Sequence, residues 1–286
     1  MKPLDVAPRG AKPEAQPQES EMATRMASAV VLGALALGAV VASPWTFAAL
    51  VIAAGVTVAW EWARLVRGRG FDGAAAIQAI AVAAIAVSVT LARPDLALIA
   101  AGAALAGTAL LGLSSNTLGW SLAGLVYSIL PAWAMVWLRS DQNFGAAALL
   151  YLFAVAWTTD TASYAGGRLI GGPKLAPRIS PRKTWSGLIL GTLAPGLIGC
   201  VFAAVLKGTS SWRLALASIA IAAACQIGDL SESAVKRRFG AKDMSHLIPG
   251  HGGLLDRIDG LLIAATAAAL IALRDPANPG RGLLLW

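Results

Sequence analysis

Nine stretches of almost unbroken apolar sequence constrain this chain more than any other feature. A run of about 17–25 apolar residues can cross the hydrocarbon of a bilayer as a helix. Such runs fall at 26–43, 45–63, 74–92, 95–113, 118–138, 144–163, 186–206, 211–228 and 258–273. Charged residues make up only 13% of the 286 positions, roughly half the share in a soluble domain. Only helices and closed barrels satisfy every backbone polar group in lipid. The expectation is therefore an all-α, polytopic integral membrane protein with about nine transmembrane helices. Ser43-Pro44 alone separates the first two runs, which read as one hairpin. An even number of spans follows instead if one run is re-entrant.

The basic residues divide unevenly between alternate sides of these spans. One side collects 17 of the 23 Lys and Arg, from the N-terminal tail, the 64–73 connection and the long segments 164–185 and 229–257. The other side holds the remaining 6: Arg93, Arg139, Lys207, Arg213, Arg274 and Arg281. Cytoplasmic loops carry the excess of positive charge, so the N-terminus and both long charged loops are predicted in the cytoplasm. Residues 1–25 are rich in Pro, Glu and Gln and read as a disordered cytoplasmic tail rather than a signal peptide. The chain then divides into N-terminal transmembrane helices (26–140), a catalytic transmembrane region (141–275) and a C-terminal tail (276–286). A net charge of +8 beside membrane spans points to anionic lipid. No basic run with interleaved aromatics is present, so nucleic acid is not expected as a partner.

Little chemistry is written into the first half. Gly102, Ala106 and Gly107 suit close helix packing, and Trp45, Trp60, Trp62, Trp120 and Trp137 lie near span ends, where indoles favour the interface. Glu61 reads as a partner of Arg64, three residues on, or as a headgroup-level acid. Cys200 and Cys225 lack metal-ligand spacing and read as apolar fillers within spans.

The second half concentrates its polar groups in three clusters on the predicted cytoplasmic side. The first, Asp160-Thr161-Ala162-Ser163-Tyr164-Ala165-Gly166-Gly167-Arg168, places a carboxylate at the end of an apolar run. Such an acid must be paired or metal-bound, and Arg168 is the nearest candidate partner. The second, Arg178 to Gly187, sets Ser180, Arg182, Lys183 and Thr184 just ahead of the seventh span. Pro181 ends any preceding helix, and a helix N-terminus beside cations is a ready phosphate site.

The third cluster, Asp229 to Asp259, holds ten of the 38 charged residues and both histidines. A helix beginning at Asp229 would put Glu232, Ser233 and Lys236 on one face. Carboxylate and hydroxyl oxygens beside an ammonium suit Mg²⁺ next to a phosphate, and Asp256 with Asp259 can complete that site. The loop Pro249-Gly250-His251-Gly252-Gly253 lets backbone N–H groups approach an anion, and His251 can donate to it. No set of His and Cys with zinc spacing is present.

These spacings carry a resemblance. Ser233-x-x-Lys236-Arg237, then Lys242-Asp243, then His251-Gly252-Gly253-x-x-Asp256-Arg257-x-Asp259 resembles the signature of phosphatidate cytidylyltransferases, the CDP-diacylglycerol synthases. Gln226-Ile227-Gly228-Asp229-Leu230, Asp160-Thr161, Gly167-Arg168 and Ser180-Pro181-Arg182-Lys183-Thr184-Trp185 resemble the same family. The likeness is strong over about 155–265 and general before it. Ser186 stands where the family usually has Glu, and Ala162 where it usually has Gly.

The resemblance implies a reaction: CTP and phosphatidate give CDP-diacylglycerol and pyrophosphate, at the cytoplasmic membrane face. It also implies the inner membrane of a bacterium, and a homodimer. Asp229 and Asp256 are then expected to hold Mg²⁺, with a second cation allowed and Ser233 or Asp259 assisting. Lys236, Arg237 and the His251-Gly252-Gly253 loop would grip phosphates. Ser180, Lys183 and Thr184 would meet the second anionic substrate, with Asp160 on the nucleotide side and Arg168, Lys242 and Arg257 as further binding residues. Two other classes use similar features. A CTP-dependent kinase of a polyisoprenol or other lipid would transfer the terminal phosphoryl group, and a transporter would spread its ionisable residues near the midplane of several spans.

Overall fold

The computed structural model describes residues 18–113, 117–248 and 252–286. Each apolar run is helical, and most end within a few residues of their expected limits. The helices are α1 (Gln18–Ala42), α2 (Pro44–Arg67), α3 (Gly73–Thr90), α4 (Pro94–Leu113), α5 (Leu118–Ser140) and α6 (Gly145–Leu169). They continue as α7 (Trp185–Leu193), α8 (Pro195–Val205), α9 (Ser211–Arg238), α10 (Leu255–Ala272) and the short α11 (Pro279–Leu284). Segments Pro44–Arg67, Gly73–Thr90, Pro94–Gly112, Leu118–Ser140, Trp185–Val205 and Ser211–Arg238 are long and apolar enough to cross a membrane. The architecture is an all-α polytopic membrane fold.

Local chemistry sets the helix limits. Ser43 and Thr46 form a reciprocal capping box at the start of α2, where each side-chain oxygen accepts the other residue's N–H at 3.0 Å. Asp72 caps α3 by accepting from Ala75 N at 2.9 Å, and Arg67 holds it in place. Pro195 lacks an N–H to donate and divides the seventh run into α7 and α8. The α1 helix begins at Gln18, eight residues before the expected first span, while residues 1–17 lie outside the described part.

Three departures concern the charged half and the C-terminus. Pro173, Pro177 and Pro181 keep the second cluster out of a helix, and it pairs as an antiparallel hairpin of β1 (Lys174–Ala176) and β2 (Ser180–Thr184). The final apolar run before the third cluster does not stop at 228. Free of Gly and Pro from 229 to 238, α9 continues to Arg238 as 28 residues, about 42 Å at 1.5 Å per residue. That exceeds a hydrocarbon core of about 30 Å and carries the acids and cations beyond it. The C-terminal residues fold back as α11, where Leu283 and Leu284 are fully buried and Arg274 stacks on Trp286.

Helix ends meet as antiparallel alternation requires. At one end, the C-terminal part of α2 contacts the start of α10, and β2 meets α9. At the other, Arg139 Nε on α5 donates to Val40 O on α1, and Asp141 accepts from Arg281 N. The core runs between α2, α3, α5 and α10 and continues to α6 and α9 through Tyr151, whose hydroxyl lies 2.7 Å from Ser218 Oγ.

Candidate active site

Two close helix crossings assemble the site. Where α9 meets α10, a Cβ on Gly228 would lie 2.7 Å from Asp259 O, and one on Gly260 3.0 Å from Cys225 O. The missing side chains let the two backbones close. Asp229 and Asp259, each next to a crossing glycine, therefore face the same space. The crossing of α6 and α7 works alike: a Cβ on Gly187 would lie 2.7 Å from Ser163 O, and one on Gly166 2.9 Å from Ser186 O. This holds β2 against α6 and α9, and Lys183 Nζ sits 2.5 Å from Asp229 Oδ2.

The assembled space is one continuous cavity of about 1090 Å³. Its charged end carries Asp160, Asp229, Asp256 and Asp259, with Arg168, Arg182, Lys183 and Arg257 among them. Its other walls are apolar and come from α1, α2 and α6, through Leu32, Ala36, Phe47, Leu50 and Phe153. Polar chemistry and an oily wall thus share one enclosure.

Asp256 is the most firmly held acid. Its Oδ1 accepts from Lys236 Nζ at 2.7 Å, and its Oδ2 accepts from Met244 N and Gly253 N at 2.9 Å each. Burial pushes its carboxyl up, but Lys236, Glu232 and those two amides outweigh burial and hold it below the ordinary aspartate range. Lys236 also meets Glu232 Oε2 at 2.8 Å, so one ammonium joins two carboxylates.

Several expected residues are used structurally or stand apart from the cavity. Thr184 lines the cavity but is buried as the cap of α7, its Oγ1 accepting from Gly187 N at 3.2 Å and lying 3.0 Å from Ser186 Oγ. Ser186 in turn donates to Gly166 O and Gly171 O, so the residue that departs from the family pattern ties the hairpin to the end of α6. Arg237 donates to Ile179 O and Ala241 O and braces the hairpin turn. Lys236 reaches the cavity only through Asp256. Ser180, Ser233, Gly252 and Gly253 do not line it, nor does the exposed Lys242. His251 lies outside the described residues. Arg168 does not pair with Asp160; its guanidinium donates to Tyr164 OH at 2.6 Å, one helical turn back. Cys225 is a buried filler beside the cavity, whereas Cys200 is exposed on the outer face of α8. Trp62 is buried, donating to Trp120 O, and is no interfacial anchor.

Glu61 is the buried acid whose partners local sequence missed. It does not pair with Arg64, whose guanidinium stacks on Trp60. It is fully buried and accepts from Ser245 Oγ at 2.6 Å, Leu254 N at 2.8 Å and Leu255 N at 2.7 Å. An acid inside an apolar run was the available signal. Gln226, visible in the sequence only as part of a motif, tethers α9 to α7 through Leu188 O and Thr192 Oγ1.

Comparison with known proteins identifies the family. The sequence model of the cytidylyltransferase family matches residues 23–273. A phosphatidate cytidylyltransferase of Brucella suis biovar 1 (strain 1330) is 47% identical over 171 residues, covering 59% of this chain and 63% of the relative. One of Rickettsia typhi (strain ATCC VR-144 / Wilmington) is 35% identical over 160 residues, 54% of this chain and 70% of the relative. The match to the Brucella protein thus spans a little less than two thirds of its length. A match over nearly the whole chain establishes that this protein belongs to the cytidylyltransferase family.

Proposed function

We propose that the protein transfers the cytidylyl group of CTP to phosphatidate, releasing pyrophosphate and leaving CDP-diacylglycerol in the bilayer. One observation carries this reading: the charged end and the apolar walls belong to the same cavity. A nucleoside triphosphate needs the first and diacylglycerol chains need the second. The names of the relatives point the same way.

In the reaction, a phosphate oxygen of phosphatidate forms a bond to the α-phosphorus of CTP. The bond from that phosphorus to the bridging oxygen of pyrophosphate breaks. Two polyanions must meet, so positioning and charge neutralisation dominate. A phosphomonoester with a second pKa near about 6 is already largely ionised at neutral pH, and no side chain need act as general base. Lys183, Arg182, Arg168 and Arg257 supply positive charge at the cavity. Lys236, anchored by Glu232 and Asp256, is held for a phosphate at the cavity margin.

Mg²⁺ fits the donor chemistry. Among the described residues no three His, Cys, Asp or Glu converge tightly enough to hold an ion alone. Mg²⁺ is ordinarily bound by one or two carboxylates together with substrate phosphates. Asp229 and Asp256, on the crossing helices, would hold it, with Asp160 and Asp259 at the same end as donors for a second cation. Bound there, it would neutralise charge on the phosphates. The basic-residue split and the bacterial relatives support nine passes through a bacterial inner membrane, with the N-terminus and cavity mouth cytoplasmic. A homodimer rests on the family resemblance alone.

Purified protein, Mg²⁺, phosphatidate micelles and CTP labelled at the α or γ position provide the test. Label from the α position should enter the lipid as CDP-diacylglycerol. Lipid labelled only from the γ position would overturn the reading in favour of a kinase, and no lipid labelling would exclude transfer to phosphatidate.

A further inference from the structure

We propose that Glu61, on α2, is a positioning residue that sets the geometry of Asp256 from the opposite half of the chain. The inference rests on the role given to Asp256 above. Asp256 and Glu61 grip the same two stretches of backbone by turns. On the first stretch, Met244 N donates to Asp256 Oδ2 and the next residue, Ser245, donates its hydroxyl to Glu61 Oε1. On the second, Gly253 N donates to Asp256 Oδ2, and the next two amides, Leu254 N and Leu255 N, donate to the two oxygens of Glu61.

Gly253 lies between the two acids. A Cβ there would be 2.6 Å from Glu61 Oε1 and 3.0 Å from Asp256 Oδ2. The first amides of a helix have no intrahelical acceptor, so a carboxylate from α2 supplies what the start of α10 lacks. The positive end of the α10 dipole favours an anion there. The Ser245 hydroxyl and the two leucine amides are neutral donors, and a carboxylate can accept from all of them at once. An amide of equal size would turn an NH₂ group toward one of them. Glu61→Gln therefore keeps shape while breaking part of the cap.

The test uses full-length protein in detergent and compares wild type with Glu61→Gln, Glu61→Ala and Ser245→Ala. Hydrogen exchange read by mass spectrometry should rise about tenfold or more across 244–256 in the Glu61 variants, with peptides of α3 and α5 as in wild type. The kcat for CDP-diacylglycerol formation should fall roughly 10- to 100-fold, because displacement by about 1 Å is worth that much, with KM for CTP within about threefold. Ser245→Ala, which leaves α2 untouched, should loosen 244–247 alone and serves if the Glu61 variants do not fold. Unchanged exchange across 244–256 would overturn the inference. So would an equal rise throughout α2, α3 and α5, which marks a purely structural acid, or a loosened loop with wild-type kcat. If wild type makes no CDP-diacylglycerol, the assigned reaction fails, while the exchange measurements still decide whether Glu61 fixes the Asp256 turn.

Discussion

Two lysine–aspartate pairs flank the cavity, and they are built differently. Lys183 and Asp229 join β2 to α9 at 2.5 Å, and their side chains keep 23% and 41% of their surface exposed. Lys236 and Asp256 join α9 to α10 at 2.7 Å with only 13% and 5% exposed, and Asp256 takes two further amide bonds. The first pair is a contact between two groups able to exchange partners. The second is part of the frame. Similar chemistry thus serves as a poised charge in one place and as a fixed reference in the other, and the surrounding backbone donors make the difference.

Substitutions can break that contrast. The largest effect is expected for Asp229→Asn, which should lower CDP-diacylglycerol formation by about 10³-fold or more, in line with the loss of a preorganised electrostatic group. Removing Mg²⁺ with EDTA should do the same to wild type, with activity returning on readdition; persistent activity in EDTA would undo the metal assignment. Next is Lys236→Met, which strands two buried carboxylates and should cost about 3–5 kcal/mol of stability, read as a lower denaturation midpoint in detergent. Lys183→Met should behave in the opposite manner. Its pair is partly exposed, so stability should change by about 1 kcal/mol or less, while activity falls about 100-fold. If both lysine variants lose stability equally, the distinction between the pairs is gone. The smallest effect is expected at the apolar end. Gly33 lines the cavity, and a Cβ on it would meet nothing within 4 Å. Gly33→Leu would fill part of that space and should reduce kcat/KM for long-chain phosphatidate about tenfold, with KM for CTP unchanged.

The helices were legible because a run of apolar residues has one stable form in lipid, and the Ser43-Pro44 boundary was legible too, whereas the Asp72 cap and the break of the seventh run at Pro195 emerged only in the structure. The polar motifs named Asp160, Lys183, Asp229, Asp256, Arg257 and Asp259, and these do share one cavity. What stayed hidden was which polar residue is spent on structure. Thr184, Arg237 and Ser186 sit in motifs but are used by nearby backbone. The partners of Glu61 lie 184 to 194 positions away, whereas local spacing offered only Arg64. Pro181 marked the segment before it as non-helical, yet the hairpin's pairing depends on a turn braced by Arg237 from α9.

The crossing of α9 and α10 has a consequence for how this protein can vary. At Gly228 and Gly260 the separation of Asp229 from Asp259 is set by the absence of side chains. One methyl group at either place would widen the gap between the acids as directly as it would disturb packing. These positions behave as a spacer of fixed gauge, and drift there alters the dimensions of the reaction site before it unfolds anything. Tolerance to mutation should accordingly be narrowest at two residues that carry no functional group.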